Sequence, residues 1–532
     1  MHRRLLLIHI IALLISCGPA SKTGTLKVLR FNASNNISSL DPALASTQDN
    51  IWAVSQIFNG LIELDDQLKP IPAIAKSWEI KDSATTYVFH LRTDVFFHDH
   101  FVFDGGKGRL LNSKDILYSL QRITNPETAS PGAWIFNGRL AEKAFETPDD
   151  STFIIHLQKP FAPFLSVLSM PYCSAVPKEA IDHFGKSFGR NPVGTGPFTF
   201  KEWIDDVKLI LLQNKNYYEN GLPHLDGLSI SFIRNKQTAF MEFVQGKLDF
   251  FNGIESSFKD EIIDAEGNLG AKLSDKCDLI KGAFLNTEYL AFYLDSSSNH
   301  ANRDLILNKS FREALNKSID RKKMIQYLRN NVGEAADGGF IPKGLPSYHA
   351  FAEDLYGYQL EEAQNALDNS NYQGQTLRLS TTKDYLDLCI FVQSQWREIG
   401  VKCEIDVLPS SIMKRQKRHG ELELFRASWI ADYADGENFL SCFYSANHAP
   451  NGPNYTHFTN KRFDAMYKHA LDQAEDSTKI ELYKAMDELL MSEYPIIPLF
   501  YDESVWLKAK NVQNLRLNPL KIPKFKWVEM VD

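Results

Sequence analysis

Three residues within one short run have side chains suited to gripping a small charged molecule. They are Arg426, Trp429 and Asp432, in LELFRASWIADYADGENFL at 422–440. A carboxylate accepts charge-assisted hydrogen bonds from an ammonium group, and a guanidinium fork matches a carboxylate. An indole offers a flat apolar wall with one donor. Each has a plainer use as well. Asp432 can cap local backbone, Arg426 can sit in an internal salt bridge, and Trp429 can be an ordinary buried strand residue.

Other reactive residue types assemble into less. His90, His98 and His100 lie close in sequence, but strand alternation separates His90 from His98, and sheet packing accounts for their aromatic neighbours. Asp99 and Asp104 do not place an acid and a base around one bond. GGKG at 105–108 lacks Walker A spacing and its following Ser or Thr, so it reads as a turn. Gly194-Thr195-Gly196 also reads as backbone punctuation, and no serine-nucleophile elbow is read anywhere in the chain. The residues therefore point to binding without chemistry on the bound molecule, and to no metal or cofactor.

The elements that must position these residues follow from periodicity. Residues 25–31 read as a strand, 51–62 as a helix breaking near Gly60, and 86–92 as a half-buried strand. NSKDILYSLQRI has Asn112 or Ser113 as its cap and apolar residues at helical spacing. TAFMEFVQGKLDF is expected to turn at Gly246 from helix into strand, and residues 310–328 to form one amphipathic helix. Another helix is expected at 360–370. Strand, helix and strand between 376 and 408 make an α/β unit with a parallel crossover. KIELYKAMDELLMSEYP reads as a helix, followed by IIPLFYDESVWLKAK. The whole is mixed α/β, and 532 residues with 44% apolar content require two or three domains.

The N-terminus carries a targeting signal. MHRR, the apolar run LLLIHIIALLI and then Ser16-Cys17 make a secretory signal peptide, too short for an ordinary transmembrane helix. Leu14-Ile15-Ser16-Cys17 resembles a bacterial lipobox, in which Cys17 becomes the acylated mature N-terminus; an ordinary signal peptide with an incidental cysteine is the plainer reading. GPASKTG would then be a flexible tether. With 58 basic and 66 acidic residues the formal charge is -8, which speaks against a nucleic-acid binder. Five further cysteines form neither a metal cluster nor a dense disulfide framework. Cys389 and Cys403 either pair or stay as buried thiols.

An ordered series of motifs adds a resemblance. Ser39-Leu40-Asp41-Pro42, Ile74-Ala75-Lys76-Ser77-Trp78, TYVFHLRTDVFFHD, NSKDILYSL, NPVGTGPFTF, FREALNKSIDRKKMI and the 422–440 run occur in that order. From 26 to 527 the chain resembles the oligopeptide- and dipeptide-binding proteins of ABC transporters, the extracytoplasmic solute-binding proteins of family 5. It departs from them at HFVFDGGKGR, 100–109, where the turn is longer and His100 replaces the usual glycine.

The resemblance implies an α/β, two-lobed periplasmic-binding-protein-like fold of class II and the large type, with an additional domain inserted in the first lobe. Lobe I would comprise 25–67, 189–287 and 496–532, the additional domain 68–188, and lobe II 288–495. These follow a signal peptide at 1–16 and a lipidated N-terminus and tether at 17–24. The resemblance further implies that Asp432 receives a peptide's α-ammonium group, Arg426 meets the carboxylate of a short ligand, and Trp429 walls the ligand. Ser46, Thr47 and Gln48 would present an edge strand to the peptide backbone. Gly436, in Ala434-Asp435-Gly436, stands where relatives commonly have proline and implies a freer cleft loop.

The activity so implied is lipid-anchored capture of short peptides in an interlobe cleft and their delivery to an ABC permease and its ATPase subunits. The protein would be a monomer in the bacterial extracytoplasmic space, held to the membrane through Cys17, with no enzymatic activity. The same role with a nickel complex, haem or an oligosaccharide is the alternative, and a peptide-sensing receptor is a further one.

Overall fold

The computed structural model describes residues 26–34, 36–254, 258–336, 338–351, 357–473 and 476–531. The leader, Cys17 and the tether lie outside the described residues. Three sheets of four or more strands organise the chain. In the first, Val28–Asn32 pairs in parallel with Gly227–Ser231, which continues antiparallel through Lys208–Gln213 to Phe198–Ile204. The second is a wholly antiparallel sheet of Ala75–Lys81, Thr86–Leu91, Thr152–Leu157 and Leu140–Asp149. One continuous apolar cluster, running through Phe31, Phe89, Phe153 and Phe198, joins these two sheets. The two sheets thus share one core.

The third and largest sheet runs Phe250–Asn252, Ile496–Ala509, Cys277–Phe292, Leu424–Ile430, Thr376–Thr381 and Lys402–Val407, with Glu334–Ala335 also on Ile496–Ala509. Its two longest strands, Cys277–Phe292 and Ile496–Ala509, pass from one lobe to the other side by side. Their pairing is interrupted between Ala283 and Thr287. The interruption faces Tyr501 and Glu503 on the partner strand, and Ile496 pairs with Ala291 well beyond it. Separate apolar clusters cover the two faces of the sheet: one with Tyr289, Phe340, Phe425 and Phe439, the other with Leu290, Phe311, Leu379 and Trp396.

Local chemistry explains most elements. Asn112 caps the helix Ser113–Thr124 in a reciprocal capping box with Asp115. Gly246, at φ 74°, ends the helix Lys236–Val244 before Phe250–Asn252. Thr376–Thr381 and Lys402–Val407 are parallel strands joined through the helix Leu386–Glu398, as the pattern predicts.

Three expectations need correction, and one open alternative is decided. The helix expected at 51–62 is Gln48–Ile57, because Thr47 already caps it by accepting from Asn50 N. The single helix expected at 310–328 is two, Lys309–Lys317 and Arg321–Arg329. Ser318 Oγ turns back to the Leu315 carbonyl and Asp320 caps the second helix, while buried Ile319 keeps the apolar periodicity running through the break. No disulfide joins Cys389 and Cys403, which are both thiols. Finally, GKSFG at 185–189 does spell the Gly-x-Ser-x-Gly pattern that the sequence reading missed. It forms a 3₁₀ turn, Gly185–Arg190, directly after the helix Lys178–Phe184, and is not the strand-to-helix elbow that exposes a nucleophile.

Candidate ligand-binding site

The strand Leu424–Ile430 lies beside Cys277–Phe292 in the middle of the largest sheet, so alternate side chains face opposite layers. Phe425, Ala427 and Trp429 face the layer containing Tyr289 and Phe340. Arg426 faces the other. There its guanidinium is paired with Glu288 and lies 3.0 Å from the centre of the Tyr385 ring. The side chains are only 10% and 4% exposed, so this charge is neutralised inside the second lobe. Of the two uses of an arginine at 426, the structure shows the internal salt bridge.

At the end of the strand Ala431 N donates to Leu285 O (2.9 Å) and the chain turns toward the first lobe. Asn438 fastens the turn. Its Oδ1 accepts from the Trp429 indole (3.0 Å) and from Asp432 N (3.2 Å). Its side chain also hydrogen-bonds the Asp432 carboxylate. Asp432 is exposed to solvent. The surrounding protein raises its carboxyl above the usual carboxylate range, and the Asn438 hydrogen bond opposes this. Among the described residues no cationic side chain lies within ion-pair distance of it.

The residues after Asp432 are held rigidly. Asp435 pairs with Lys479 at 3.2 Å, both side chains being buried, and accepts from Glu437 N at 2.9 Å. The Glu437 carboxyl is clasped by the hydroxyls of Tyr433 and Tyr467, and burial raises its pKa. Gly436 needs no conformational freedom, since its φ is -61°. It is required by space: a Cβ would stand 2.5 Å from Ser347 Oγ and 2.9 Å from the Tyr483 ring. The expectation of a freer loop is corrected accordingly.

Asp432 sits at the seam between the lobes. Ser166 Oγ donates to Ala434 O (3.4 Å), Ala162 N to Leu471 O (3.3 Å), and the Trp134 and Tyr433 rings lie 5.8 Å apart. From the facing side, Tyr172 in the 3₁₀ turn Pro171–Cys173 is close enough for Asp432 to add to the burial that pushes its hydroxyl up to about 12. A Cβ on Gly132 would meet the Tyr172 ring at 2.6 Å, so the small residue makes room for that ring.

Ser46, Thr47 and Gln48 are exposed, and they lead from the 3₁₀ turn Pro42–Leu44 directly into the helix Gln48–Ile57. They form no edge strand: Ser46 N donates to Leu44 O, and Thr47 is a helix cap. The preceding turn is tied to the Tyr172 and Trp134 region by Ser130 Oγ donating to Ala43 O at 2.6 Å. The buried pair Arg122–Asp41 anchors it at 2.7 Å.

Sequence reasoning missed a cation. Lys417 lies four residues after buried Met413 on the helix Ser410–Arg418, hence on the face turned toward the Trp429 layer. Its ammonium rests 4.4 Å from the centre of the Tyr455 ring with no carboxylate partner among the described residues. Burial, helped by the charge of Arg426, brings its pKa down to about 8. The charges of Lys417 and Asp432 are both felt at the buried Cys442 thiol, which Asp432 pushes up and Lys417 pulls down. The sequence shows only a basic run, KRQKR, which reads as a solvated helix face. Asn438 and Tyr172 had no sequence signal at all.

His98 proves structural. It is buried, its Nε2 contacts Gly196 O at 3.0 Å, its Nδ1 accepts from Gly194 N at 3.3 Å, and burial drops its pKa to about 4. Among the described residues there is no group of three or more potential metal ligands.

Comparison with known proteins gives consistent results. Residues 69–451 match the family described as bacterial extracellular solute-binding proteins, family 5 Middle. The chain is 28% identical over 468 residues to heme-binding protein A of Haemophilus influenzae, covering 84% of this chain and 81% of that one. It is 23% identical over 535 residues to dipeptide-binding protein DppE of Bacillus subtilis, covering 96% and 93%. Among solved structures, the periplasmic binding protein DppA from Helicobacter pylori in complex with the peptide STSA superposes with a TM-score of 0.75 at 26% identity, over 95% of this chain and 98% of that one.

Proposed function

The chain belongs to the family 5 bacterial extracellular solute-binding proteins, noncatalytic components of ABC importers, and from that premise we propose that it captures short peptides between its lobes. Asp432 receives the α-ammonium group and Trp429 walls the first residues. Tyr172 faces them across the seam. The observation that carries the reading is the state of Asp432. It is an exposed carboxylate partly desolvated by the protein around it, its backbone held by Asn438, and no cation among the described residues pairs with it. A bound ammonium group supplies the missing charge.

Lys417 takes the ligand's terminal carboxylate in place of Arg426, whose charge Glu288 already neutralises. Ser46, Thr47 and Gln48 contribute exposed polar groups to the first-lobe rim. Closure of the lobes buries the ligand and presents a composite surface to the permease and its ATPase subunits. The protein acts in the extracytoplasmic space, and Cys17 anchors it to a membrane through acyl chains.

The test is mass analysis of ligands released from gently purified protein, followed by calorimetry with Ala-Ala-Ala and its N-acetyl form. Short peptides should be recovered. Acetylation or Asp432→Asn should weaken binding by about 100-fold, the scale for truncating one partner of a desolvated charge pair. Release of haem, a nickel complex or a sugar, with rebinding indifferent to Asp432→Asn, would overturn the peptide reading.

A further inference from the structure

A second uncompensated cation lies where the lobes join. In the turn 518–522, Asn518 Oδ1 accepts from Leu520 N (3.0 Å) and Ile522 N (3.3 Å), and Lys521 N donates to Asn518 O (2.8 Å). These bonds hold Lys521 at φ 56°, a left-handed conformation that a side chain with a Cβ resists. The turn carries the Lys521 ammonium to 3.5 Å from the centre of the Phe284 ring. Phe284 is buried in the stretch of Cys277–Phe292 that passes between the lobes, next to the interruption in pairing at Ala283.

The charges around Lys521 come from both lobes. Lys236, on a first-lobe helix, and Arg329, on a second-lobe helix, oppose the ammonium, while Asp502 favours it. The Asp502 carboxylate is already bound to Arg329. Among the described residues no carboxylate lies within ion-pair distance of Lys521, and burial lowers its pKa to about 8. A lysine on an open surface would be served by water. This one is partly stripped of water, fixed by its backbone and placed on an aromatic face.

We propose that Lys521 is a specificity-determining residue that receives a second carboxylate, so that the site selects peptides carrying an acidic side chain in addition to their two charged ends. The assignment rests on the peptide reading above. Asp432 then accounts for one positive group of the ligand, and Lys417 and Lys521 for two negative ones. A neutral tripeptide would leave Lys521 as it stands in the free protein.

Calorimetry with four synthetic tripeptides, Ala-Ala-Ala, Glu-Ala-Ala, Ala-Glu-Ala and Ala-Ala-Glu, tests this on the full chain and on Lys521→Met. Methionine keeps an unbranched stem over Phe284 and removes the charge. At least one acidic tripeptide should bind the unaltered protein about ten-fold more tightly than Ala-Ala-Ala, the scale of one charge-assisted contact. Lys521→Met should bring that peptide to within about two-fold of Ala-Ala-Ala while leaving Ala-Ala-Ala itself unchanged.

Equal affinity for all four peptides, or an acidic preference that survives in Lys521→Met, overturns the proposal. An equal loss for all four in Lys521→Met also overturns it, since that marks a role in lobe closure. If none of the four binds the unaltered protein, the peptide reading itself falls and takes this assignment with it. If Ala-Ala-Ala binds through Asp432 and no acidic preference appears, only the Lys521 assignment fails.

Discussion

The two faces of the strand Leu424–Ile430 carry similar residue types to opposite ends. On one face Arg426 meets Glu288 and Tyr385, and its charge is cancelled within the lobe. On the other, Trp429 is tied to Asn438, the same side chain that orients Asp432, and the carboxylate stays uncancelled. A charge with an internal partner maintains a fold. A charge that the protein orients but does not neutralise keeps its capacity for a partner from outside the chain. The distinction depends on which sheet face a residue occupies, and a shift of one position would exchange the two roles.

Arg426→Met is expected to have the largest effect. It leaves the Glu288 carboxylate buried and alone, which costs about 3–5 kcal/mol of stability. Thermal unfolding should show a large drop, and tripeptide affinity measured well below the transition should barely change. A variant of normal stability that has lost affinity would instead put Arg426 in the ligand's grip.

Asn438→Ala should have a smaller effect on the other face. It removes the acceptor shared by the Trp429 indole and Asp432 N, so affinity for Ala-Ala-Ala should fall by about 1–3 kcal/mol, with Asp432 still present. Calorimetry beside Asp432→Asn would sharpen the division between the group that touches ligand and the group that aims it.

A further expected effect is one of pH. Asp487 accepts from Phe340 N (2.9 Å) and Ile341 N (3.1 Å), bracing the loop behind the Trp429 layer, and burial raises its pKa to about 7. The unfolded carboxyl titrates near 3.9, so between about pH 4 and 7 the unfolded chain ionises first. This group's contribution to stability therefore declines as pH rises through that window. Asp487→Asn should be less stable at pH 4, having lost one of two accepted bonds, and should lack that decline. Thermal midpoints of both proteins at pH 4.5 and 7.5 measure the difference in slope; parallel slopes would show that Asp487 is not held protonated.

How much could be read from the chain alone varied with the range of the interaction. Asn112 and Gly246 act on their own neighbours, and both were legible. The break at Ser318 was not, because Ile319 satisfies the apolar period on both sides of it. Asp432 and Trp429 stand out in the sequence by residue type, yet Asn438, which joins them, is a residue type that fits almost any loop. Tyr172 lies 260 positions from Asp432, and only the folded chain brings the two together. Lys417 and Lys521 look like ordinary surface lysines until Tyr455 and Phe284 appear beneath them. Gly436 was noticed for the wrong reason, since crowding by Ser347 and Tyr483 leaves no mark on sequence.

The paired strands Cys277–Phe292 and Ile496–Ala509 have a mechanical consequence. Two hydrogen-bonded ribbons lying side by side behave like a leaf spring, which flexes readily across its flat face and strongly resists shear within it. The gap in pairing between Ala283 and Thr287 thins that spring along one line. Ligands of different bulk would then alter the angle at which the lobes come to rest, while the path of approach stays the same. Trp134 would always arrive over Tyr433, and a downstream partner would find one surface whose opening angle reports what lies inside.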